Sequence, residues 1–222
     1  MSDYSISVIV ILITGVVTVL ILVLTGYSRK KKTAAVKQMA TSRSWYYEPF
    51  KDAGHEGFVI QGTDWRFESV TSTSSNHSNT VGISDKFPTS WSSPSVRSDD
   101  GLVLIGPKVP AVDIGGLGNF LLQQVLRIFL RDEADQINEV SEVHPDRTAL
   151  ENKISIWASS EETALHFLTF NVENTLINWK LKELPVIKIS SRGIAITLVN
   201  GYAQTPDEIQ AVIDLGLSFL RG

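Results

Sequence analysis

The chain has no cysteine in its 222 residues, which excludes disulfides, thiolate metal sites and cysteine nucleophiles. Histidine is scarce as well. Its four copies, His55, His77, His144 and His166, have no second histidine at a metal-ligand spacing. His55-Glu56 beside Gly54 and Gly57 reads as turn polarity, and His166 pairs with Glu162 one helical turn earlier. No G-x-S-x-G, S-x-x-K or H-E-x-x-H motif occurs. Gly115-Gly116-Leu117-Gly118 precedes a helical pattern, but position 121 is Leu where G-x-G-x-x-G needs glycine. No Lys-Ser/Thr follows for a P-loop. The acidic clusters fall where carboxylates are commonly found: Glu161-Glu162 and Asp207-Glu208 at helix starts, and Asp132, Glu133 and Asp135 on a wet helix face. The residues assign no catalytic, metal or cofactor site. Excess positive charge is also lacking. The formal net charge is −4, and it becomes more negative once the basic run at 29–32 is set aside. That is a poor match for nucleic acid.

What the chain does have is one long uncharged run. Residues 5–27 are dominated by Ile, Val and Leu, with no charge between Tyr4 and Ser28. As a helix the run is about 30 Å long, the thickness of a hydrocarbon core, and the sequence predicts an N-terminal transmembrane helix that meets the lipid bilayer through 5–27. The start Met1-Ser2-Asp3-Tyr4 lacks the basic residues of a signal peptide, and no A-x-A cleavage pattern follows. Arg29, Lys30, Lys31 and Lys32 act as the topology signal, putting the N-terminus outside the cell membrane and the remaining chain in the cytoplasm. In that location Asn76-His77-Ser78 would meet no glycosylating lumen. Ser7, Thr14, Thr18 and Thr25 share one helical face with Gly15 beside them, a candidate helix–helix contact.

The expected organisation is an anchor at 1–28, a basic juxtamembrane linker with a short helix at 29–43, and one domain at 44–222. Residues 44–48 read as an aromatic strand stopped by Pro49, and 57–62 with 65–70 as a hairpin across Gly62-Thr63-Asp64. Residues 71–100 are rich in Ser and Thr and broken by Pro88 and Pro94. They read as a surface loop, although Phe87 and Trp91 suggest that part of it packs. A short strand at 102–105 is followed by a helix over 119–138, a loop over 143–152 and a strand at 154–158.

A capping box at Ser159 and Glu162 opens a helix to about Lys180, with Ala164, Leu165, Leu168, Val172, Leu176 and Trp179 as its core stripe. Residues 186–189 and 194–198 flank Ser190-Ser191-Arg192-Gly193 as the clearest hairpin. Thr205-Pro206-Asp207-Glu208 starts a terminal helix that buries Ile209, Val212, Ile213, Gly216 and Leu220, with the 186–198 hairpin as the expected neighbour of Gly216. The predicted fold class is α+β, an antiparallel or mixed sheet covered by about three α-helices behind the membrane anchor. The leading functional expectation is a membrane-tethered, non-enzymatic interaction or scaffold module. It would bind a membrane-protein or cytoplasmic partner, or form a homo-oligomer, through the Ser/Thr-rich loop or a sheet edge. The alternatives are an accessory subunit of a multi-span complex, and a membrane-bound enzyme whose site is assembled from distant residues.

Overall fold

The computed structural model describes residues 14, 18, 20, 23, 24, 27, 30–52, 54–72, 88–99, 101–108, 140–144, 150, 152–199 and 201–221. Among the described residues nine strands form one sheet: β1 (Tyr46–Asp52), β2 (His55–Gln61), β3 (Arg66–Ser72), β4 (Thr89–Ser93), β5 (Val103–Pro107), β6 (Ser141–Val143), β7 (Ile154–Ala158), β8 (Val186–Ser190) and β9 (Gly193–Leu198). Their order is β1-β2-β3-β4-β9-β8-β5-β7-β6, and every pairing is antiparallel. The described helical residues 30–42 are α1; α2 is Glu161–Phe167, α3 Phe170–Ile177 and α4 Pro206–Leu220.

Among the described residues the fold is therefore mostly sheet with few helices, which corrects the α+β expectation of an antiparallel or mixed sheet covered by about three α-helices. The reason lies in two segments. The helix expected to run to Lys180 breaks: Leu168 (φ −87°, ψ 58°) leaves helical space and the extended Thr169 restarts the chain as α3. The stretch read as loop contributes β4, whose alternation is inward at Thr89, Trp91 and Ser93 and outward at Ser90 and Ser92. Its buried hydroxyls are paired, which offsets their desolvation. Ser93 Oγ donates to the Asp64 carbonyl at 2.6 Å, and Thr89 Oγ1 accepts from the Ala203 N–H at 3.0 Å.

The transmembrane span expected over 5–27, and the single-pass arrangement built on it, are also corrected. Among the described residues no helix is long and apolar enough to cross a membrane. The continuous described part of α1 carries Lys30, Lys31, Lys32 and Lys37 on exposed positions and sends Val36 and Ala40 into the domain core, so it is a basic helix packed on protein. Of the uncharged run, Thr14, Thr18, Leu20, Val23, Leu24 and Tyr27 are described, each helical and exposed; its other positions lie outside the described residues. The helix expected over 119–138 and the Gly115-Gly116-Leu117-Gly118 turn lie outside them too.

Smaller differences have local causes. β1 runs through Pro49 rather than stopping there, because an edge strand tolerates a missing N–H on its unpaired side. The α2 cap is Ser160, whose side chain accepts from the Thr163 N–H; Ser159 Oγ instead accepts from the Leu102 N–H at 3.0 Å. The hairpins β2–β3 and β8–β9 pair as read, the second closed by Gly193 at φ +130°.

One face of the sheet carries the main core: Phe67, Trp91, Ile105, Ile156, Ile187, Ile189, Ile194 and Ile196 meet Ala164, Val172 and Leu176 from α2 and α3 and Ile209, Val212, Ile213 and Leu215 from α4. The neighbour of Gly216 is not the β8–β9 hairpin but Trp91 of β4, because a Cβ built at Gly216 would fall into the indole ring. On the opposite face Leu102 and Leu104 gather Val140 and Trp157 into a second, smaller cluster.

Candidate interaction surface

The basic residues Lys30, Lys31 and Lys32 sit exposed on α1, while Arg29 lies outside the described residues. α1 is tied to α4, since Arg43 Nε donates to Gln210 Oε1 at 2.9 Å and the Arg43 guanidinium lies 5.4 Å from the Trp45 ring centre. Lys32 also acts on Glu208. Burial alone would raise that carboxyl, but N–H bonds from Gln204 and Thr205, the Thr205 hydroxyl and the Lys32 charge outweigh it and lower it below its ordinary value. Of the candidate helix–helix residues, Thr14 and Thr18 are described. Thr18 Oγ1 donates to the Thr14 carbonyl at 2.8 Å, so this hydroxyl is used by its own helix. Ser7, Gly15 and Thr25 lie outside the described residues.

A polar cleft opens where β5 and the short edge strand β6 end and β7 begins. Lys108, Glu142, His144 and Ser155 line it above Val143, Leu150, Ile154 and Ile156, and its volume is about 100 Å³. Pockets for small molecules run from about 300 Å³ upward, so this cleft accommodates water or a small group rather than a metabolite. Among the described residues no cluster of three or more His, Asp or Glu is placed to hold a metal ion.

The outward side of α2 and α3 is a different kind of surface. Phe170, at the start of α3, is 77 % exposed, and Ile177 and Leu165 are 39 % and 47 % exposed. Phe170 and Ile177 are seven residues apart, so they share one side of α3 with the exposed Asn174 between them. The buried side of the same helix is Val172, Glu173 and Leu176. α2 starts just past the end of β7, whereas the end of α3 returns to the beginning of β7, where Lys153 Nζ donates to the Ile177 carbonyl at 3.3 Å. The two helices thus run back along β7, a strand that spans about 17 Å at its five-residue length. Exposed Glu161 and Glu162 mark one end, and exposed Lys153, Lys180 and Lys182 the other. Glu183, also at the second end, is half-buried and has its carboxylate against Gly201.

No family model matches the chain. No curated protein matches it either. Among solved structures it is similar to the mycobacterial trehalose monomycolate transport factor A, TtfA, at 10 % identity and a TM-score of 0.44, over 87 % of this chain and 96 % of that one.

The surfaces expected to meet a partner were the Ser/Thr-rich loop and a sheet edge. The structure builds 88–99 of that loop into and beside the sheet, and 73–87 lies outside the described residues. The β1 edge carries Pro49 in mid-strand. The α2–α3 surface was missed. Leu165, expected in the core stripe, faces out, and the expected stripe does not include Phe170 or Ile177. The available signal was their position: Ala164, Leu168, Val172 and Leu176 repeat every four residues, leaving Leu165, Phe167, Phe170 and Ile177 off the stripe.

Proposed function

We propose that this chain is a non-enzymatic interaction or scaffold module that meets its partner through the outward side of α2 and α3. The observation that carries this reading is Phe170, a full aromatic ring 77 % exposed on a short helix whose opposite side is locked into the core. Aromatic anchors of this kind dominate protein interfaces, and burying one contributes about 1.5–3 kcal/mol. Leu165 and Ile177 extend the apolar area, and charged residues flank it at both ends. The cleft beside β6 supports an enzymatic reading less, because it is about 100 Å³.

A photo-crosslinking amino acid placed at Phe170 tests the proposal, with the same group at exposed Thr63 in the β2–β3 turn as the control. The expected result is a discrete cross-linked protein band from position 170 that is absent from position 63. Identical patterns from the two positions refute the proposed surface.

A further inference from the structure

The distribution of charge along this surface points to its occupant. Acidic Glu161 and Glu162 stand at one end, basic Lys153, Lys180 and Lys182 at the other, and the apolar residues Leu165, Phe170 and Ile177 between them. A strip with opposite charge at its two ends and an apolar middle is complementary to itself when one copy is turned through 180°. The acidic end of each then meets the basic end of the other, and the apolar middles coincide. A twofold interface requires this pattern, because one patch must serve as both partners.

We infer that the partner is a second copy of this chain, docked antiparallel through α2 and α3. The inference rests on the proposed interaction surface and deepens it. Along the chain Phe170 falls midway between the acidic residues 161 and 162 and the basic residues 180 and 182, so in an antiparallel pair it meets its own counterpart. The charged ends set the register and orientation, since like charges meet in the parallel arrangement. Each exposed ion pair adds little by itself, and the apolar middle supplies most of the affinity.

The chain's lack of cysteine makes the test direct, because an introduced thiol is the only one. Full-length Asn174→Cys, exposed between Phe170 and Ile177 on the same side of α3, is expected to form a covalent dimer when treated with a short bismaleimide. Thr63→Cys, exposed in the β2–β3 turn, is expected to remain a monomer. Charge reversal gives a sharper criterion. Glu161→Lys with Glu162→Lys, or Lys180→Glu with Lys182→Glu, should each weaken dimerisation about tenfold or more in sedimentation equilibrium. Mixing the two reversed proteins should restore it, because each acidic end again meets a basic one. A chain that stays monomeric at concentrations of tens of micromolar overturns the inference. So does a dimer that both reversals leave unchanged. If the photo-crosslinker at position 170 captures a different protein while no self-adduct forms, the second copy is ruled out and the surface stands. If it captures nothing, both fail.

Discussion

Gly216 and Trp91 provide the most demanding test of the packing. Replacing a mid-helix glycine with alanine ordinarily gains about 1 kcal/mol of helix propensity. At Gly216 the added methyl would enter the six-membered ring of Trp91, closer than real Cβ contacts are found. The ring cannot retreat easily: Trp91 is fully buried and stacks on Trp65 at a centroid distance of 6.3 Å. Overpacking of this kind costs about 1–3 kcal/mol, and more where the opposing group is rigid. The net expectation for Gly216→Ala is a loss of about 1–2 kcal/mol, read by urea denaturation followed with far-UV circular dichroism so that the signal does not depend on tryptophan. Trp91→Ala removes the ring atoms that the methyl meets, the ring-fusion carbons included, and also removes an indole N–H that has no hydrogen-bond partner among the described residues. The double variant should therefore be more stable than the sum of the single effects by about 1 kcal/mol or more. A Gly216→Ala protein as stable as the parent, or stabler, would refute the close approach of α4 to β4.

Two further measurements address α4. Ile213→Ala should cost about 2–5 kcal/mol, because Ile213 is fully buried. Asp214→Ala, on the exposed side where its carboxylate accepts from Gln210 Nε2, should change stability by less than about 0.5 kcal/mol. Equal effects would mean that the helix does not pack as described. Glu208 gives a pH signature: its folded-state carboxyl is held below the ordinary 4.5, so its contribution is present above that pH and is lost as the pH falls through the folded value. Glu208→Gln should accordingly be less stable than the parent at neutral pH, with the gap closing below about pH 4.5. A gap that is constant with pH would show that the capping carboxylate is not the source.

What could be read from the sequence depended on whether one segment carried its own signal. The β8–β9 hairpin did, with alternating isoleucines around a glycine able to take positive φ. So did α4, where Thr205 and Glu208 form the complete capping box. β4 did not. Its burial rests on Trp91 and on small hydroxyl residues whose bonds go to Asp64 and Ala203, distant in sequence, so its composition resembles a loop while its environment is central sheet. The break between α2 and α3 was hidden for a similar reason, since the four-residue apolar repeat passes through Thr169 uninterrupted and only backbone geometry reveals the restart. The apolar run at 5–27 misled in the opposite direction. Its composition alone suggested a membrane span, whereas the continuous described helix that follows is committed to the domain through Val36 and Ala40. The α2–α3 surface was legible only as Leu165, Phe170 and Ile177 out of phase with the four-residue repeat, which acquire meaning once the buried side is known.

The order of strands has a consequence for how the chain must be made. β4 and β5 are successive in sequence, yet β9 and β8 stand between them. Until the ribosome has released residues through about 198, β4 has no neighbour on one side and β5 none on its β8 side. Until then a nascent chain exposes open strand edges carrying Trp91 and Ile105, and unpaired edges of this kind invite association with other chains. Closure of the sheet is left to the last hairpin and to α4, which crosses β4 immediately afterwards. Premature termination anywhere before that hairpin should give a product that aggregates rather than a smaller stable domain.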